Sequence, residues 1–174
     1  MRNTQYTAPA MLYRVRQLIA ALRAQLSAEE RALVAATLSL GEQRLFAAMP
    51  RYDQRHCLDV YWTLWRAQER DTLTLRAALF HDCGKVDDGG APMPLIYYML
   101  VTLLKLMPPL YWAAAASGRG PLGNVRLYAE HAWRGARMAA ATDSPPEIVE
   151  MLRHYHDREP TGRAALLKWA DEQN

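Results

Sequence analysis

The chain's five histidines and two of its aspartates form one ordered series: His56, the doublet His81-Asp82, His131, the pair His154 and His156, and finally Asp171. Imidazole and carboxylate together suit divalent transition metals, and an adjacent His-Asp doublet lets one short stretch of backbone supply both ligand types. A single histidine is more often a satisfied core or surface residue than a ligand, so context decides. His81-Asp82 closes the largely apolar run of residues 73–80 and is followed by Cys83-Gly84-Lys85, which places the doublet where a buried helix ends. Burying an unpaired carboxylate there costs several kcal/mol, so a cation or a donor is expected beside Asp82.

His56, His81-Asp82 with Gly84-Lys85, and Asp171 within Lys168-Trp169-Ala170-Asp171 resemble the HD-domain superfamily of metal-dependent phosphohydrolases, across residues 53–171. His131 and His156 resemble the further ligands of the subset that holds two metals. The resemblance implies a compact orthogonal helical bundle in which His56, His81, Asp82 and Asp171 hold one ion. His131 and His156 would hold a second, with Asp82 bridging. Two such cations lower the pKa of a shared water and neutralise phosphoryl oxygens, so the implied reaction is hydrolysis of a phosphate ester, with a nucleotide or related small phosphorylated molecule the expected substrate. Asp82 and Lys85 are then the expected catalytic residues, with the Lys85 ammonium reaching a non-bridging phosphate oxygen. Arg51 and Arg55, just ahead of His56, are candidate clamps for the rest of an anionic substrate, or solvated positions at a helix start. The ligand types do not separate Mn, Mg, Co, Fe and Zn, nor one ion from two.

Two departures from the family pattern bear on substrate. The cyclic-dinucleotide branch follows its second histidine cluster with a Gly-Tyr-Pro stretch, whereas His156 here precedes Asp157-Arg158-Glu159-Pro160. Where many members have adjacent histidines, this chain has Tyr155-His156, which weakens the case for the second metal. An HD-type di-iron oxygenase is the alternative enzyme, and a non-catalytic nucleotide sensor or membrane-associated adaptor the alternative outside enzymes.

These residues need helices to bring them together, and the sequence supplies them. Leu12, Val15, Leu18, Ile19, Leu22 and Leu26 recur at helical spacing. Ser27-Ala28-Glu29-Glu30 and Ser39-Leu40-Gly41-Glu42 read as capping boxes, and Pro50 ends the second helix. The next helix begins near Asp53 and turns His56 inward with Val60 and Leu64; Asp59 is within reach of orienting His56, although a solvated position suits it better. Asp71 or Thr72 opens the doublet helix, Asn124 caps the helix of His131, and Ser144-Pro145-Pro146-Glu147 is a further helix start. Ile148, Leu152 and His156 lie four apart on the apolar side of that helix while His154 stacks over Glu150, which favours His156 as the ligand. Ala164, Leu167 and Asp171 share a face of the last helix. No segment alternates with period two, so the expected fold is all-α.

Residues 92–116 carry Lys105 as their only charge. The stretch is long enough to span a bilayer, but a crossing would separate His81-Asp82 from His131, and Pro108-Pro109 cuts it into pieces too short to cross alone. It is expected as an insertion of two short helices that covers the site, pairs two subunits, or rests on a membrane surface.

With 174 residues and 51% hydrophobic content the chain suits one globular unit. Residues 1–52 are expected to flank an HD-type core at residues 53–174. The net charge of +3 rests on eighteen arginines and three lysines, without the dense basic stripe that would make nucleic acid the expected partner. Cys57 and Cys83 each follow a candidate ligand and read as buried packing residues. Together with the lack of a leader at residues 1–5, they suit a reducing cytoplasm, with membrane association through residues 92–116 left open.

Overall fold

The computed structural model describes residues 25–174. The amphipathic stretch expected at residues 12–26 lies almost wholly outside them; its last residue, Leu26, packs against the main core. Both serine boxes form. Ser27 caps α1 (Ala28–Thr37) and Ser39 caps α2 (Leu40–Ala48), and in each case the glutamate three residues on bonds back to the serine N–H. Glu42 does more than cap. Fully buried, it accepts two hydrogen bonds from Arg76 Nη2 at 2.8 and 2.9 Å and one from the Ser144 hydroxyl at 2.9 Å.

Next come α3 (Arg51–Arg66) and α4 (Thr72–Phe80). α3 begins at Arg51, two residues before Asp53, with Pro50 in the capping position, and buries Cys57, Val60, Tyr61 and Leu64 on one side. Gln68 then adopts a left-handed φ of 65°, and the Glu69 N–H returns to the Leu64 carbonyl at 3.0 Å, which ends the helix and turns the chain. Asp71 caps α4, accepting from the Thr74 N–H at 3.0 Å and its hydroxyl at 2.6 Å. Leu75 and every residue from 77 to 80 are buried, as befits a helix with almost no polar stripe. The doublet follows where α4 ends, and Cys83–Lys85 forms a single 3₁₀ turn.

Residues 92–116 form the two short helices expected, α5 (Leu95–Leu104) and α6 (Pro108–Ser117), separated at the prolines. They have a small core of their own, in which Val101, Leu104, Tyr111, Ala114 and Ala115 pack against Val125 of α7 (Gly123–Ala140). Two expected caps are not made. α7 begins at Gly123, with Asn124 inside its first turn, and α8 (Pro146–His154) has no side-chain cap because Ser144 is drawn to Glu42 instead. α9 (Gly162–Glu172) buries Ala164 and Leu167. The main core runs through all helices except α5 and α6, and includes Val34, Leu45 and Phe46 from the N-terminal pair. The fold is all-α: the described residues contain no strand, only an isolated bridge between Val86 and Pro92.

No helix among the described residues is long and apolar enough to cross a membrane.

Candidate metal centre

Asp82 stands in the middle of the histidines. Its Oδ1 lies 3.7 Å from His81 Nε2 and 3.6 Å from His131 Nε2, and its Oδ2 lies 3.8 Å from His56 Nε2 and 2.5 Å from Lys85 Nζ. His56 comes from α3, His81 and Asp82 from the turn after α4, and His131 from α7. α9 adds Asp171, whose Oδ1 is 2.8 Å from His56 Nε2 and 3.6 Å from His81 Nε2. The fold therefore gathers residues separated by 115 positions into one cluster.

The tautomers are legible from the partners. His81 Nδ1 is 2.9 Å from the Ala78 carbonyl, which only an N–H can satisfy, so Nε2 is the nitrogen that points into the cluster and, in the neutral ring, carries the lone pair. Against its burial, and without a cation, the acids around it raise this imidazole above its ordinary value. That Nε2 is buried and has no hydrogen-bond partner. An orphaned buried nitrogen is costly unless something binds it. The same logic fixes His131, whose Nδ1 donates to the Tyr128 carbonyl at 2.5 Å and whose Nε2 faces Asp82. A backbone carbonyl on the far nitrogen is how metal-binding histidines are held in orientation.

Spacing fits a cation as well. Ligand atoms about 2.1 Å from a shared ion stand roughly 3.0–3.4 Å apart at right-angle or tetrahedral geometry, and the 3.6–3.8 Å between Asp82 and the three histidines is only slightly longer. His56, His81 and Asp82 each offer one ligand atom, all within 4.8 Å of one another, and could hold a metal ion.

A second group lies on the other side of Asp82. His156 Nε2 is 3.1 Å from His131 Nε2, and the buried Tyr155 hydroxyl is 2.9 Å from that same nitrogen. His154 points away into solvent, paired with Asp157 at 2.8 Å and Glu150 at 3.2 Å. The structure thus brings His156 to the cluster, but not along the helix face that its spacing from Leu152 suggests. α8 ends at His154, Tyr155 takes the inward position, and His156 reaches back from the following turn.

The electrostatics follow from burial and neighbours. Burial pushes the Asp82 carboxyl up, but Lys85 and the surrounding imidazoles outweigh it and hold the group ionised well below the usual range. Asp171 is likewise held low against its burial by its hydrogen bond with His56 and by the nearby His81 imidazole. His131 is driven well below the ordinary imidazole value by burial and by His156. His156 is exposed as a whole, but its Nε2 edge is turned inward, and desolvation there brings it down to about 4. Both imidazoles are neutral at pH 7, the state a ligand requires. Burial raises both cysteine thiols, so Cys57 and Cys83 stay protonated packing groups.

Lys85 is buried, clamped to Asp82 with Asp53 Oδ1 at 3.8 Å and the rings of Tyr98 and Tyr128 at 5.1 and 5.5 Å. Asp53 in turn accepts from the Tyr98 hydroxyl at 2.7 Å, and its burial pushes its own carboxyl up to about 6 despite Lys85. Neither arginine ahead of His56 reaches into this cluster. Arg51 is exposed, and Arg55 is tied to Glu30 and, at 2.9 Å, to Asp59. Asp59 serves Arg55 rather than His56.

Asp53, Tyr98 and Tyr128 belong to the site without having been singled out as site residues from sequence. Asp53 carried a signal, an acid three residues before His56 on the buried face of the same helix. Tyr128 carried the same kind of signal, three residues before His131 on one helix face, whereas Tyr98 carried none, because only the packing of α5 brings it there. No family model, curated protein or solved structure matches this chain.

Proposed function

We propose that this protein is a metal-dependent phosphohydrolase, with Asp82 at the centre of its metal-binding cluster and a small phosphate ester as its substrate. The observation that carries the metal half of this reading is the bare, buried Nε2 of His81, aimed between Asp82 and Asp171 with its other nitrogen already committed. His56, His81, Asp82 and Asp171 would hold one divalent ion, and His131 and His156 are disposed to hold a second with Asp82 shared. A cation bound there supplies a water nucleophilic near neutral pH and neutralises phosphoryl charge. The chain's own residues do the rest. Backbone carbonyls at Ala78 and Tyr128 fix His81 and His131 in the ligating tautomer, and Lys85 keeps Asp82 ionised while adding a positive charge for a phosphate oxygen.

The test is metal content of protein purified without chelator, combined with phosphate release from a panel of nucleotides and simple phosphomonoesters with Mn²⁺, Co²⁺ or Mg²⁺ added. Asp82→Ala should lose both the metal and the turnover, with a circular dichroism spectrum to show that the bundle survives. Full activity in a folded, metal-free Asp82→Ala protein would sink the reading, and so would metal retention with no ester hydrolysed.

A further inference from the structure

The α5–α6 hairpin turns one side to the candidate metal centre and the other to solvent. On the inner side Tyr98 bonds Asp53 at 2.7 Å, and Lys105 Nζ lies 3.1 Å from the Tyr128 hydroxyl. On the outer side Ile96, Met99, Leu100 and Leu103 follow the helical 0, 3, 4, 7 spacing and are all exposed, Ile96 at 64%. Leu106, Met107 and Leu110 continue this surface through the turn, and Trp112, 62% exposed, extends it on α6. Single exposed apolar residues need no explanation, but eight on one hairpin form a patch that water does not favour.

The charges around the patch select its occupant. From residue 89 to residue 129 the chain has no acidic residue, while Lys105, Arg119 and Arg126 are cations. Arg126 is paired with Glu130, but among the described residues neither Lys105 nor Arg119 has a carboxylate partner. A second copy docked through the same face would oppose two hairpins that each present Arg119 and carry no carboxylate of their own. An anionic lipid surface answers both features at once, since its acyl boundary accepts the aliphatic side chains and its headgroups accept the arginine.

We propose that this hairpin docks on the surface of an anionic bilayer, with Ile96, Met99, Leu103, Met107 and Trp112 at the acyl boundary and the exposed Arg119 at the headgroups. The metal-binding cluster then lies about one helix diameter, roughly 10 Å, above the lipid. Docking is a property of this face alone and holds whatever reaction the cluster performs.

The experiment is co-sedimentation of the full chain with phosphatidylcholine vesicles, with and without phosphatidylserine, at low and high salt. The protein should pellet with the mixed vesicles, less so as salt rises, and remain largely in solution with phosphatidylcholine alone. The double substitution Ile96→Glu, Met107→Glu should reduce partition by about tenfold or more, and Arg119→Glu should remove much of the salt-sensitive part. Because these residues are outside the cluster, metal binding should be unchanged in all of them. Three outcomes overturn the inference: no pelleting with either vesicle, equal pelleting with both, or a stable dimer that Ile96→Glu dissociates and that ignores lipid. Loss of phosphate release with docking intact would count against the phosphohydrolase reading and leave docking standing.

Discussion

Gly84 packs so closely on His131 that a Cβ added to the glycine would stand 1.9 Å from the His131 carbonyl oxygen and 2.6 Å from the Gly135 nitrogen. Both obstacles are helix backbone, which does not rotate aside. The turn carrying Asp82 and Lys85 can approach α7 only without a side chain at position 84, and Arg134 of α7 secures it by bonding the carbonyls of Gly84 and Val86 at 3.3 and 3.2 Å. Gly84→Ala should therefore lower unfolding free energy by about 3 kcal/mol through overpacking and, by lifting Asp82 from His131, weaken metal binding. Gly135→Ala is the control. Its Cβ would meet neighbours at 3.4–3.5 Å, in ordinary contact, so urea denaturation should find it near neutral. Equal loss in the two variants would show that the close approach is not what Gly84 serves.

Tyr155 competes for the nitrogen that a second metal would use. His131 Nδ1 already donates to Tyr128, so its one remaining lone pair is sought by the Tyr155 hydroxyl at 2.9 Å, by His156 at 3.1 Å and by any cation. Tyr155→Phe removes one claimant and keeps the ring in the core, so metal titration should show the weaker site tightening by about 1 kcal/mol, roughly fivefold. His156→Ala should abolish that site while His154→Ala leaves it intact. Weaker binding in Tyr155→Phe would mean that the hydroxyl supports the ion instead.

How much of this was readable from the chain depends on the range of the cause. Ser27, Ser39 and Asp71 cap as read because capping is decided within four residues. Ser144 reads equally well but is claimed by Glu42, 102 residues away, and nothing in its own neighbourhood records that. The His81-Asp82 doublet was legible because the apolar run before it forces burial. Tyr155 rather than His156 takes the inward position because α8 stops at His154, two residues short of His156. Arg55 looked free beside His56, and only the folding of α1 against α3 brings Glu30 to it.

Acid should destabilise the metal-free protein through the same two histidines. The folded-state value of His156 is about 4 against the usual 6.5, and His131 is shifted in the same direction. These two groups bind more protons in the unfolded chain than in the native one between these values, so their contribution to stability is present above pH 6.5 and is lost as pH falls from about 6.5 toward 4. Asp53, raised to about 6, and His81, raised above the usual imidazole value, contribute with the opposite sign. The difference in denaturation midpoint between wild type and His156→Gln, measured in chelator, isolates the His156 contribution: on acidification across that range the wild type should lose more than the variant. A difference that does not change with pH would mean that the His156 imidazole is not kept neutral by the fold.

Glu42 sets the last prediction, and it separates scaffold from site. Its carboxylate is the only acceptor reached by both Arg76 and Ser144 among the described residues, and it also closes the cap on Ser39. Glu42→Ala leaves the half-buried Arg76 guanidinium and the buried Ser144 hydroxyl without their acceptor, which should cost about 2–3 kcal/mol. Glu42→Gln keeps an acceptor for the serines but gives up the bidentate charge pairing, so its loss should be intermediate. Arg76 lies on α4 five residues before His81, yet it touches no ligand, and the His81 orientation is fixed by Ala78. Metal affinity measured well below the melting temperature should therefore be the same in Glu42→Gln as in the wild type. A weakened affinity there would show that α4 transmits strain from its Glu42 anchor to the doublet, and that the metal cluster is tuned from the middle of that helix.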